Sequence, residues 1–307
     1  MKSIKVMRAV LLSAALWTMV GARATDLVFT GCYFGNLPDL TLTVSGGSNW
    51  VCSLERLNRT NQVWESQGQF TLTNGTADVL TSLHEGAYGI FRARTTNNAH
   101  LSTNAFGAIL QSLPTGKSMV GSPFGPVYAT DLFPDPADGM KIYQWDNSTS
   151  NYVSSIYDSG EWSVYPYLNQ GEGVIVEVPT NAPSVQLLAW GFFGLTNTTY
   201  SIPSGYSILC LPRYQLTTPT NWVCDEFVTN RLGGYTSLPV TNAGANPQST
   251  VSRMISSDGT YKDYTLTTTN LWKSGADVTT VPIKVTEAFW FKRTNAVTWT
   301  FSTPIWW

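Results

Sequence analysis

The sequence predicts an all-β protein: three consecutive β-sandwich-like modules, of which the last two are a diverged tandem repeat. Three observations carry this. Only 12% of residues are charged while aromatics reach 13%; helix surfaces call for Lys, Glu, Arg and Ala, whereas the Thr, Val, Tyr and Trp abundant here suit a pleated, half-buried sheet. Short runs of alternating apolar and polar residues recur along the chain, bounded by Gly, Asn or Ser. Three blocks then appear twice in the same order. With 43% hydrophobic residues the chain can cover a substantial core, so disorder is a poor fit.

The first residues, MKSIKVMRAVLLSAALWTMVGARA, place Lys2, Lys5 and Arg8 ahead of an apolar run from Ala9 to Val20 and end on Ala22-Arg23-Ala24. A basic head, a short apolar stretch and small residues at the cleavage point predict a signal peptide over 1–24 and hence export, to the periplasm, the cell surface or the medium. Cleavage would leave 307 − 24 = 283 residues, with 18 − 4 = 14 basic against 20 acidic, a net charge of −6. A mildly acidic body without a Lys/Arg cluster offers no footprint for a phosphate backbone, which argues against nucleic acid as a partner. No later segment has the run of about 18 apolar residues that a spanning helix needs. Pro304 interrupts the closing WTFSTPIWW, which tells against an outer-membrane strand.

The first module is expected over 25–110. DLTLTVSGG, NWVCSLERL, QVWESQGQFTL and AYGIFRART each bury one face and wet the other, the pattern of an immunoglobulin- or fibronectin-like β-sandwich. Four cysteines fall into two sequence-local groups, so the expected disulfides are Cys32–Cys52 and Cys210–Cys224, each worth about 3 kcal/mol on the chain-entropy account. The string NWVC occurs at 49–52 and at 221–224. It is convergent: a Trp two residues before a Cys on a strand shares its face and can pack over a bridge.

The duplication lies further on, with repeat 1 expected over 114–200 and repeat 2 over 201–307. TGKSMVGSP at 115–123 matches SGYSILCLP at 204–212. MKIYQWDNSTSNYVSSIYDSGEW at 140–162 matches VSRMISSDGTYKDYTLTTTNLW at 251–272, setting Trp145 against Met254, Tyr152 against Tyr261 and Trp162 against Trp272. GEGVIVEV at 171–178 matches TEAFWFKR at 286–293, setting Glu172 against Glu287. Repeat 2 carries a loop insertion at 225–250, rich in Gly, Asn, Pro and Thr, of the kind that rigid sheets often use for binding.

The sequence layout of SLER, QVWE and YGIFRAR in the first module resembles small β-sandwich modules of secreted planctomycete and verrucomicrobial proteins. SIPSGYSIL, SSDGTYKDY, LW and TEAFWFKRTNAVTWTFS are likewise similar to a carboxy-terminal pattern in uncharacterised secreted β-rich proteins of those bacteria, over Pro114 to Pro304. The resemblance implies an exported β-rich fold and brings no activity with it. The 225–250 insertion and the cysteine pair depart from that pattern.

Motifs of chemistry are sparse. The two histidines, His84 and His100, have no second histidine at ligand spacing, no G-x-S-x-G elbow is present, and GKSMVG at 116–121 lacks the upstream glycine of a phosphate loop. No cofactor or metal site is expected. Asp158, Glu161, Glu172 and Glu177 lie within one repeat and could serve a glycosidase-like hydrolase if two converged. Because Glu172 and Glu287 hold matching places, a turn-capping task is the better expectation for them. Trp145, Trp162, Trp272, Tyr143, Tyr152 and Tyr261 are candidates for stacking on a ligand if exposed, and for core otherwise. The expected function is therefore a secreted, non-catalytic structural, adhesive or surface-interaction protein, with polysaccharide, other surface proteins or further copies of itself as partners. A carbohydrate-binding module array and the hydrolase are the alternatives.

Overall fold

The structure, a computed structural model, describes residues 26–35, 37–58, 63–83, 88–194, 198–210, 250–266, 272–278, 286–293 and 296–301. The expected signal peptide, Cys224 and the loop insertion up to residue 249 lie outside the described residues. The described strands begin with β1 (Val28–Phe34), β2 (Asp39–Ser45), β3 (Val51–Leu57), β4 (Trp64–Thr71), β5 (Thr76–Ser82), β6 (Tyr88–Thr95) and β7 (Asn104–Leu113). Then come β8 (Gly116–Gly121), β9 (Val127–Tyr128), β10 (Lys141–Asp146), β11 (Asn151–Asp158), β12 (Glu161–Trp162), β13 (Tyr167–Leu168), β14 (Gly173–Val178) and β15 (Val185–Gly194). The last are β16 (Thr198–Ile202), β17 (Gly205–Cys210), β18 (Thr250–Met254), β19 (Tyr261–Leu266), β20 (Trp272–Ser274), β21 (Asp277–Val278), β22 (Ala288–Arg293) and β23 (Val297–Phe301). One 3-10 turn, Ala129–Leu132, is the sole helical element among the described residues. The protein is all-β.

The first module packs a β1-β2-β5 sheet against one ordered β4-β3-β6-β7-β15. Alternation does the work that the sequence suggests: Leu40, Leu42 and Val44 of β2 and Cys52 and Leu54 of β3 all point inward and are fully buried. Phe29, Phe91 and Phe106 fill the space between them, each worth about 2 kcal/mol of burial. The side chain of Asn104 ties the sheets together, accepting the N–H of Phe29 at 2.8 Å and donating to its carbonyl at 2.9 Å. Trp50 stacks on His100, ring centroids 4.1 Å apart.

Two findings bear on the expectations. A strand pair spans the boundary expected between the first module and repeat 1: β15, expected inside repeat 1, pairs with β7 over ten residues from Val185↔Leu113 to Gly194↔Asn104. The physical reason is a strand pair buried on both sides. Leu110, Leu188, Trp190 and Phe192 face the first core, while Leu113, Val185, Leu187 and Ala189 face the core of repeat 1. The Cys32–Cys52 bridge is not formed: both residues are thiols, one on each of the two facing sheets and each held among apolar neighbours. Burial pushes the thiol of Cys32 up to about 12 and that of Cys52 up to about 11.

The two repeats share one strand plan. In repeat 1 the sheet runs β8-β14-β10-β11-β12, beside the β7/β15 pair; in repeat 2 it runs β17-β22-β18-β19-β20-β21, beside the β16/β23 pair. Matched residues keep their partners: Trp145 pairs with Tyr152 and Met254 with Tyr261. Gly116 and Gly205 open the matched strands with φ of 92° and 93°, a conformation that favours glycine.

Candidate functional site

The repeats meet in a seam with approximate two-fold symmetry, in which matched positions exchange contacts. The N–H of Gly121 donates to the carbonyl of Thr286 at 3.1 Å, and the N–H of the matched Cys210 donates to the matched Gly171 at 2.9 Å. Val120 bridges Glu287, and Leu209 bridges Glu172. Near the axis, equivalent residues face each other, so one of each pair must be small. A Cβ on Gly173 would lie 2.3 Å from that of Ala288, and one on Gly121 would lie 2.5 Å from that of Cys210. Met119, Ile175, Ile208, Cys210 and Ala288 form the buried centre, with Tyr143, Trp145, Met254 and Trp290 packed against it. Burial, then the Glu287 charge, raises the Cys210 thiol. Hairpin tips clasp across the seam: Lys117 N–H donates to Ser257 O at 2.7 Å and Trp145 Nε1 to Tyr206 O at 2.9 Å.

The expected aromatics divide. Trp145, Tyr143 and Tyr152 gather at this seam with Trp290 and Tyr206, which sequence reasoning did not single out. Trp145 meets Tyr152 and Trp290 edge to face at 74° and 81°, and Tyr206 meets Trp290 at 90°. These rings pack on one another and form no flat platform, yet Tyr152 and Tyr206 stay 43% and 47% exposed. Tyr261 joins them, accepting a hydrogen bond from Trp290. Burial, then the nearby Tyr261, raises Tyr152; burial, then a 2.8 Å hydrogen bond to Glu177, pushes Tyr143 up to about 12. Trp162 lies elsewhere, against Tyr157 beside the core of repeat 1. Trp272 sits on β20, and its side chain lies outside the described residues.

The symmetry fails at one matched pair, and a cleft opens there. In repeat 2, Arg253 forks onto Glu287 at 2.6 and 2.9 Å, both side chains largely buried. In repeat 1 the matched position is Gln144, which turns away and donates to the carbonyl of Tyr167 at 2.7 Å. Glu172 turns to its own loop, accepting the backbone N–H and Nδ2 of Asn169 at 2.9 and 3.1 Å. The space left holds about 200 Å³ and is lined by Gln144, Trp145, Asn147, Gln170, Glu172 and Ser207 among others. Ser207 is 4% exposed and its Oγ has no hydrogen-bond partner. The weak signals for this site in the sequence were the matched places of Gln144 and Arg253 and of Gly173 and Ala288.

The four carboxylates do not gather in one place. Asp158 and Glu161 are cross-strand partners at an exposed turn and do not line the cleft, while Glu172, just ahead of β14, and Glu177, within it, stand five residues apart, about 17 Å at ~3.4 Å per residue. Paired acids acting on one glycosidic bond stand roughly 5–9.5 Å apart. Among the described residues no cluster of His, Cys, Asp and Glu could hold a metal ion, and no helix is long and apolar enough to cross a membrane.

No family model matches the chain, and no curated protein matches it. Among solved structures, one chain to which it is similar is native alpha-2-macroglobulin from Escherichia coli, spanning domains MG0-NIE-MG1. Identity is 10%, coverage 84% of this chain and 97% of that one, and the TM-score 0.17. A likeness that faint has no bearing on role; the all-β class stands on the strands themselves.

Proposed function

We propose that this is an exported, non-catalytic surface-interaction protein that binds through the seam between its repeats. The observation that carries the reading is the group of half-exposed tyrosines, Tyr152, Tyr206 and Tyr261, held around Trp145 and Trp290. Aromatic side chains that combine an apolar body with a hydroxyl suit contact surfaces, and packing against one another fixes their rotamers before any partner arrives. Export rests on the amino-terminal pattern, and it would expose Cys32 and Cys52 to oxidation.

Co-sedimentation of the purified chain with isolated cell envelopes and with insoluble polysaccharide tests the reading. The wild type should be retained, and a Tyr152→Ala, Tyr206→Ala, Tyr261→Ala variant of unchanged circular dichroism should not. Equal retention of the two proteins, or no retention of either, would reject it.

A further inference from the structure

We propose that the cleft between the repeats binds one neutral sugar residue, a ligand class that rests on the seam-binding reading and makes it specific. Each wall of the cleft contributes to this assignment. Gln144 has committed an amide N–H to Tyr167, and its carbonyl oxygen remains able to accept from a donor. Asn147 accepts Trp145 Nε1 at 3.1 Å through Oδ1, leaving its own N–H groups to donate. Gln170 offers both kinds of group. A set of uncharged amides that can both give and take hydrogen bonds matches hydroxyls, which do the same. Glu172 disfavours a phosphate or carboxylate ligand, and its two oxygens are already shared with Asn169, which leaves it poorly suited to take up a cation.

Ser207 supplies the independent observation. A buried hydroxyl without a partner is costly, and native structures tolerate few of them. This one borders the only wall of the seam where the Arg–Glu fork of the matched half is missing. A ligand hydroxyl placed there would satisfy it. Size agrees: about 200 Å³ is the room of roughly seven waters at ~30 Å³ each, enough for a six-membered ring with its substituents and too little for a buried oligomer. Trp145 forms the apolar wall, its ring fixed by bonds to Tyr206 O and Asn147 Oδ1, so it needs no ordering on binding.

The test is a titration of the full chain with D-glucose, D-galactose, D-mannose and N-acetyl-D-glucosamine, followed by the NMR resonance of Trp145 Nε1–H. At least one sugar should shift it saturably, with an affinity in the millimolar range. Ser207→Ala, which removes one oxygen and should leave the protein as stable as before, should weaken that binding about tenfold, and Gln170→Ala should weaken it as well. No shift with any of the four sugars overturns the inference. So does a shift that Ser207→Ala leaves unchanged, since the sugar would then sit elsewhere. If the cleft is silent while the chain still sediments with envelopes in a tyrosine-dependent way, the sugar assignment fails and the seam-binding reading survives; loss of both would remove both.

Discussion

Gly173 and Ala288 occupy matched positions of the two repeats and face each other across the axis that relates them, so close that a Cβ on Gly173 would lie 2.3 Å from that of Ala288. Only one of the two can carry a methyl group. Gly173→Ala should therefore destabilise the protein by about 1–3 kcal/mol through overpacking. Adding Ala288→Gly should recover most of the loss, because the swap reverses which half bears the methyl. Urea unfolding of the single and double variants measures the coupling; purely additive effects would mean that the two positions do not face each other.

Glu172 and Glu287 hold the same place and do different work, which makes them a controlled pair. Removing the charge of Glu287 strands the largely buried Arg253 guanidinium, so Glu287→Gln should cost about 3 kcal/mol. Glu172→Gln keeps a carbonyl oxygen for the N–H of Asn169 and should cost less than about 1 kcal/mol. Thermal unfolding of the two variants side by side would show the asymmetry, and equal losses would count against it.

Hydrogen bonds from Ser256 Oγ, then from Thr260, hold Asp258 down to about 2. Those from Ser148, then Thr149, likewise lower Asp146 at the tip of the β10–β11 hairpin. Both shifts are depressions of a carboxylate, so their stabilising effect is complete above the ordinary value of 3.8 and is lost as pH falls through the lowered value, about 2 for Asp258. Amide exchange at Thr260 and Ser148 should accelerate over that window while the centres of the β-sheets stay protected. Asp258→Asn should remove the acid sensitivity of the first site alone.

With the thiols of Cys32 and Cys52 raised to about 12 and 11, thiolate is scarce at neutral pH. In the reduced native protein, both should react with iodoacetamide at pH 8 far more slowly than in urea. Rapid alkylation without denaturant, read by mass spectrometry at these two residues, would contradict their burial.

Much of the architecture is legible because alternation has a local cause. Leu40, Leu42 and Val44 announce the inner face of β2, and the matching of Trp145 with Met254 and of Tyr152 with Tyr261 foretells two hairpins that keep those residues as cross-strand partners. The pairing of β15 with β7 is not legible, for an equally physical reason. The stretch VQLLAWGF packs apolar side chains on both faces and so lacks the period-two contrast by which a strand declares its sheet. The cleft was hidden more deeply. That Gln144 replaces an arginine is visible in the alignment of the repeats, but that its absence opens a space beside Ser207 depends on how two sheets meet, which no local pattern encodes.

The chain leaves and rejoins its main thread at neighbouring points in each repeat: Asn104 stands opposite Gly194, and Thr198 opposite Phe301. Tension applied through the backbone would thus open each ladder rung by rung from that end, as a zipper parts, instead of loading all ten rungs of the longer pair at once. Those two ladders would part at lower force than the same strands pulled in shear, a compliant element and not a cable.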